Sequence, residues 1–447
     1  MTLVSPISDQ KSDLMSSKLP IDVRWRRATE KAKIAALVLA CRIGGSKFAA
    51  EFMASRADAG DWKPNRPTVV AFYRPLFSKD LAELRKRTDV NWVYLNNQYL
   101  GHVQSAWCPL EMRVQTKYQM FHDEAHAKVW ASLQRFGDDL VVALRRRFPV
   151  DAFMTSHIDY WQCEGARLGA KRAGIPFLGL CREHMCLPIE QRSVTKYYTG
   201  FKYEGDSIAV FGESTRKIFI ESGACAPEQV VVTGPPRLDL WTDIDTASSS
   251  LTRVVLLSYR DPDYRAPHNF GEVLALFLTA AQTHSGSGIE FVIKAKNPQD
   301  VDEIRGRAGK MEKFVTIDHQ VPLTELLPTA RLIVGFNSLS VLEAQFCVGQ
   351  TVVPFWGDAR RPDEELIFTP SDAATARVIA FPESADALRA LLANSARPDW
   401  TPAPVSTDDK NHIISQIFYQ PPQGNSSQAV EAYVRQAIAE GPSSVAR

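Results

Sequence analysis

The chain has 447 residues, 45% of them apolar and 23% charged, with a net charge of +1. That length calls for two or three domains, and the balanced charge gives no whole-chain case for nucleic acid as a partner. The early apolar run Ile34 to Cys41 is too short to span a bilayer and too far from Met1 for a signal peptide, which points to a cytoplasmic protein. Seven cysteines, an odd number spread between Cys41 and Cys347, fit reduced thiols better than a disulfide framework.

Residues 1–20 are polar and serine-rich and read as a disordered leader. Helix and strand then alternate. Arg24 to Arg56 reads as helix, Thr68 to Tyr73 as strand, Lys79 to Thr88 as helix and Asn91 to Leu95 as strand. Val114 to Phe148 reads as one or two long helices ended by Pro149. Asp151 to His157 is a strand, Tyr160 to Ala173 a helix with Gly174 as its C-cap, and Ile175 to Leu180 a strand. Ser207 to Phe211, a helix over Ser214 to Ser222 and the strand Gln229 to Val232 follow. Residues 242–250 (TDIDTASSS) have no periodicity and read as a linker. Beyond them Arg253 to Ser258, Ile289 to Ile293, Phe314 to Ile317, Leu332 to Val334 and Val352 to Phe355 supply a second set of strands, with a helix over Glu272 to Thr283. The expectation is α/β: two Rossmann-like, doubly wound parallel sheets facing a cleft. A last helix over Gln428 to Ala439 is placed to cross back and brace the two halves.

The most informative stretch is Thr316 to Trp356. A buried strand (RLIVG) leads through a polar turn into a helix opened by Asn337, Ser338 and Ser340. Such a turn offers backbone N–H donors to phosphate or carboxylate, although Asn337 and Ser338 are equally good as plain N-caps. Glu343, about one turn beyond Ser340, is spaced to accept from a ribose hydroxyl. Lys294 and Lys296 follow the strand IEFVI and are candidate counter-charges for phosphate, against the reading of a solvated strand end. Arg237 and Asp239 in GPPRLDL follow the strand QVVV, where ligands bind in open α/β sheets; an Arg237–Asp239 pair fixing the linker is the alternative. Glu164, Arg182 and His184 flank strand ends of the first half, and Arg260 ends the first strand of the second. Buried ion pairing is the alternative for Glu164 and Arg182.

Other strings carry little. His122 and His126 in HDEAH lie four residues apart, but the glutamate is misplaced for a zinc helix, and the chain has no phosphate loop of the helicase type. Cys181, His184 and Cys186 match no common zinc spacing. The basic runs Arg24 to Arg27 and Arg145 to Arg147 suit anionic lipid or an acidic acceptor, or simply a solvated helix face.

The order FGESTRKIFIESGACAPEQVVVTGPPRLD, IKAKNPQD and LLPTARLIVGFNSLSVLEAQFCVGQTVVPF, over roughly Asp151 to Phe355, resembles bacterial GT-B glycosyltransferases of surface polysaccharide synthesis. The Kdo transferases of capsule and O-antigen are the nearest pattern; CDP-glycerol glycerophosphotransferases and polysialyltransferases are more distant ones. The resemblance implies an acceptor domain over 21–241, the linker 242–250, a nucleotide-sugar donor domain over 251–405 and a bracing tail over 406–447. It further implies phosphate held by Lys294, Lys296, Ser338 and Ser340, ribose by Glu343, and no metal. A sugar transfer calls for a carboxylate, Asp239 first and Glu164 second. The likeness to β-Kdo transferases implies retaining transfer from CMP-Kdo with Asp239 as nucleophile, and the sugar carboxylate calls for Arg237, Arg260 or Arg182. The implied partners are the nucleotide-sugar donor and a glycan or glycolipid acceptor, with peripheral contact to the inner membrane or an assembly complex. Many such enzymes carry His-Pro where Asn297-Pro298 stands here, so a histidine contact to the nucleotide is missing. A UDP-sugar transferase, a non-hydrolysing epimerase, a polyol-phosphate transferase and an inactive scaffold subunit remain the alternatives.

Overall fold

The computed structural model describes residues 21–73, 77–181, 187–245, 250–259, 267–419 and 425–442, with side chains described from Thr29 onward apart from residues 267–268. In the N-terminal half α1 (Ile21–Ser55), bent where Gly45 takes a φ of 70°, precedes β1 (Thr68–Tyr73), α2 (Ser78–Arg87), β2 (Asn91–Asn96) and α3 (Asn97–Gln104). Then come α4 (Ala127–Arg145), β3 (Ala152–Thr155), α5 (Glu164–Ala173), β4 (Phe177–Leu180), α6 (Pro188–Tyr198), β5 (Ser207–Val210), α7 (Glu213–Glu221) and β6 (Val230–Val232). The C-terminal half holds β7 (Arg253–Leu257), α8 (Pro267–Thr283), β8 (Glu290–Lys294), α9 (Pro298–Ala308), β9 (Thr316–Asp318), α10 (Leu323–Leu326), β10 (Ala330–Val334) and α11 (Leu339–Glu343). It closes with β11 (Gln350–Val352), α12 (Ala373–Val378), β12 (Ile379–Ala380) and α13 (Ala385–Ser395), followed by the tail helices α14 (Thr407–Ile417) and α15 (Ser426–Glu440).

The strands form two six-stranded sheets, ordered β2-β1-β3-β4-β5-β6 and β12-β11-β10-β7-β8-β9. Every pairing between them is parallel. All six residues of β1 and all five of β10 are buried, as strands covered by helices on both faces must be. The fold is therefore α/β, with two Rossmann-like, doubly wound parallel sheets. Chain order reverses between β1 and β3 in the first sheet and between β7 and β10 in the second, and the crevice beyond such a reversal is where open α/β sheets bind ligands.

One layer of the N-terminal half depends on missing side chains. A β-carbon on Gly137 of α4 would lie 1.9 Å from the Gly165 carbonyl oxygen of α5, and one on Gly169 would lie 2.3 Å from the Gly137 backbone. Glycine at the crossing lets the two helix backbones touch.

Several expectations need correction. Residues 114–126 are not helical: Thr116 has a φ of 62°, and short 3-10 turns over Tyr118–Phe121 and Glu124–His126 precede α4. His122 and His126 consequently share no α-helix; the first packs on Trp130 with ring centroids 3.8 Å apart, and the second bonds Asp123 at 2.7 Å. Sequence periodicity also missed α3, α6, α9, α12, α13, α14 and the two-residue strand β12.

The tail contacts both halves. On α14, Asp409 pairs with Arg377, and Lys410 donates to the Cys347 carbonyl at 2.5 Å. Tyr419 N–H then bonds the Phe211 carbonyl, and on α15 the Tyr433 hydroxyl lies 3.0 Å from Ser207 Oγ. Gly234, at a φ of 76°, leaves room for the crossing: a β-carbon there would lie 2.2 Å from the Tyr419 carbonyl oxygen.

Candidate functional site

The polar turn after β10 stands at the β7/β10 reversal of the second sheet. Gly335 to Ser338 leave β10, Ser338 takes extended N-cap geometry for α11, and its hydroxyl makes no capping bond. Ser338 and Ser340 are both partly exposed. Asn337 is engaged elsewhere: its amide donates to the Phe368 carbonyl at 3.1 Å and accepts from Phe368 N–H at 2.6 Å, so it shapes the turn. Opposite, at the end of β7, the buried Ser258 Oγ has no hydrogen-bond partner, and Tyr259 packs against Phe336 at 5.1 Å.

Lys294 ends β8, beside β7, and is half-buried. Burial lowers its ammonium pKa; Asp318 opposes the shift, and Lys79 adds to it. Lys79 belongs to α2, just past β1 in the other sheet, so the carboxyl ends of the two sheets approach each other here. Lys296 is exposed at the strand end, and Asn297 caps α9 by accepting from Asp300 N–H at 3.0 Å.

Arg237 and Glu343 meet at the same junction. Asp80, buried at the start of α2, accepts from Arg237 N–H at 3.1 Å and from its guanidinium at 3.4 Å. Asp80, not Asp239, is thus the partner of Arg237. The guanidinium also lies over the Phe211 ring, 5.0 Å from its centroid. Burial raises the Glu343 carboxyl above its usual range, while Arg237, Lys79 and a hydrogen bond from Trp241 hold the shift down. Trp241 stacks on Phe346 at 5.6 Å with the rings 7° from parallel. Glu343 therefore faces three groups of the N-terminal half and is part of the seam between the halves.

The two sequence-favoured carboxylates are held by protein groups. Asp239 is 1% exposed and caps α15, with Oδ1 accepting from Ser426 N–H at 3.0 Å and Oδ2 from Ser427 N–H at 2.7 Å. Burial raises its pKa against those two bonds. Glu164 is buried at the start of α5, bonded by Arg167 at 2.8 Å and by the Tyr118 hydroxyl at 3.0 Å, while Arg167 also pairs with Glu204 at 2.5 Å. Arg182, His184, Glu183, Cys186 and Arg260 lie outside the described residues.

Sequence reasoning missed a titratable pair at the other reversal, between β1 and β3. His157 and Asp159 follow β3 directly, both nearly fully buried, with Nδ1 2.9 Å from Oδ1. Burial alone would lower the imidazole pKa; the Asp159 carboxylate and then Cys181 overcome it and hold the group well above its ordinary value. Tyr197 donates to the other Asp159 oxygen at 3.2 Å. Two strand ends on this side of the sheet carry buried polar atoms: Ser156 Oγ, beside His157 after β3, and both amide atoms of Asn97, which follows β2, have no hydrogen-bond partner. Buried polar groups are nearly always bonded, so unpaired ones at a strand-end crevice mark a place for water or a hydroxylated ligand. The signal in the sequence was S-H-I-D at a strand end, but only the strand order shows that this end is a switch point. Among the described residues, no group of three or more histidine, cysteine, aspartate or glutamate side chains is arranged to hold a metal ion.

No family model matches the chain, and no curated protein matches it. Solved structures do. A glycosyltransferase from Rickettsia africae ESF-5 matches with a TM-score of 0.47 at 11% identity, over 84% of this chain and 99% of that one. The trehalose-6-phosphate synthase OtsA matches with a TM-score of 0.43 at 12% identity, over 84% and 99%. Anabaena Alr3699/HepE, in complex with UDP and glucose, matches with a TM-score of 0.39 at 12% identity, over 84% and 99%. The two-sheet α/β architecture follows from the strand orders.

Proposed function

We propose that the chain is a glycosyltransferase that binds a nucleotide-activated sugar at the C-terminal sheet and a hydroxylated acceptor at the N-terminal sheet. The observation that carries this reading is the meeting of two topological switch points around Lys79, Arg237 and Lys294. Cations drawn from both halves suit the negative charge that builds on a departing phosphate. Ser338 and Ser340 bind the donor phosphate beside Lys294. The acceptor oxygen forms a bond to the anomeric carbon as the bond to the phosphate oxygen breaks, and the acceptor proton leaves to water in the cleft. Asp239 and Glu164 are assigned structural roles here, because protein donors already occupy their oxygens. An acidic sugar carried on CMP, of the Kdo type, is the donor we favour; the motif resemblance supports it, and Arg237 offers a cation for the sugar carboxylate. A bacterial surface glycan is the acceptor that accompanies it.

Thermal-shift binding of CMP, CDP, UMP, UDP, GDP and ADP tests the reading. A ligand at about a hundredfold its dissociation constant stabilises the fold by about 2.7 kcal/mol. CMP selectivity, abolished by Lys294→Ala, is the expected result. UDP selectivity overturns the CMP assignment, and silence towards every nucleotide overturns the donor site itself.

A further inference from the structure

The middle of α1, Ile34 to Ile43 (IAALVLACRI), is apolar on both faces of the helix. One face is used: Leu37, Val38, Cys41, Ala49, Ala50 and Met53 pack into the core shared with α4 and the first sheet. The other face is open. Ile43 is 80% exposed, Leu39 57% and Phe48 44%, and Ala32, Ala35 and Ala36 continue the exposed side toward the N-terminus. Arg42 donates to the Ala106 carbonyl at 3.0 Å and so fixes α1 beside the segment that carries Leu110, itself 75% exposed. A helix that is apolar all round belongs between two layers, and this one has a single layer.

Charge identifies what covers the open face. From Ile21 to Ser55 the helix carries seven basic residues (Arg24, Arg26, Arg27, Lys31, Lys33, Arg42 and Lys47) against three acidic ones (Asp22, Glu30 and Glu51), although the whole chain has a net charge of only +1. Lys31, Lys33, Arg42 and Lys47 are all exposed beside the apolar side chains. Exposed apolar side chains flanked by lysine and arginine suit the headgroup boundary of an anionic bilayer, where each basic residue is attracted to the lipid phosphates. A second copy of the chain fits poorly, because a two-fold contact would set this basic face against itself. No described helix is long and apolar enough to cross a membrane, so the helix would lie in the interface plane.

We propose that the exposed face of α1, centred on Leu39 and Ile43 and flanked by Lys31, Lys33, Arg42 and Lys47, docks the protein onto an anionic lipid surface. The proposal is independent of the sugar-transfer reading. Co-sedimentation of the full chain with vesicles of phosphatidylglycerol and phosphatidylcholine, and with vesicles of phosphatidylcholine alone, tests it alongside light scattering. The chain should bind the anionic vesicles at least tenfold more tightly than the neutral ones and release them in about 0.5 M salt. The double substitution Leu39→Glu, Ile43→Glu should cost at least tenfold in vesicle binding while the melting temperature and the nucleotide response stay unchanged. Equal binding by the double variant, or equal binding to neutral vesicles, overturns the proposal. So does a chain that ignores vesicles but dimerises through this face, with the double variant monomeric.

Discussion

Replacing Asp239 separates two roles that the sequence alone leaves entangled. Its carboxylate accepts from the N–H groups of Ser426 and Ser427, at 3.0 and 2.7 Å, where α15 begins. Asp239→Ala strips both acceptors from a site that is 1% exposed in the intact protein. Losing an N-cap costs about 0.5–2 kcal/mol, and a buried donor left unpaired costs about 1–3 kcal/mol. These overlap, so we expect about 2–4 kcal/mol of local destabilisation. Asp239→Asn keeps one acceptor and sheds a charge that burial disfavours, for an expected cost of about 1–2 kcal/mol. Hydrogen exchange over 426–440 reads this directly: 2–4 kcal/mol lowers protection about 30- to 1000-fold if α15 opens locally. Activity should fall only as far as α15 loosens. An Asn variant with full protection and no sugar transfer would refute the capping account and restore Asp239 as the nucleophile.

Two further outcomes follow from the geometry. Gly137→Ala puts a β-carbon 1.9 Å from the Gly165 carbonyl oxygen, a backbone atom that cannot turn aside, so chemical denaturation should show a loss of at least about 1–3 kcal/mol; an unchanged midpoint would mean that the helices are not in contact there. The His157 pKa is raised in the fold, so its pairing with Asp159 stabilises fully below the ordinary imidazole pKa of about 6.5, and that contribution is lost as pH rises through the folded value. Melting temperature should therefore fall more steeply above neutrality in the parent than in His157→Gln, and parallel pH profiles would show that the histidine is neutral in the native protein.

The strands were the most legible part of the chain, because parallel strands buried on both faces are written as short apolar runs. Thr68 to Tyr73 read directly as β1, and the apolar run before the Ser338 turn read as β10. What the sequence withheld was adjacency. The β1/β3 reversal depends on the order of β1, β2 and β3 in the sheet, so the S-H-I-D string passed as an ordinary strand end. Residues 114–126 have a helical pattern, but Tyr118 is drawn out of it to bond the buried Glu164. Asp239 was read with its sequence neighbour Arg237, whereas its partners lie 187 and 188 residues further along the chain. Arg237 in turn reaches back 157 residues to Asp80.

The bond between Asp239 and α15 also orders events during synthesis. Ser427 leaves the ribosome 188 residues after Asp239, an interval of roughly 10–40 s at bacterial and eukaryotic elongation rates. Throughout that interval the first sheet lacks the Tyr433 hydroxyl that meets Ser207, and the Asp239 carboxylate lacks its two N–H donors. The half made first is therefore completed last, and a chain stopped short of Ser426 would leave its earliest-made core open.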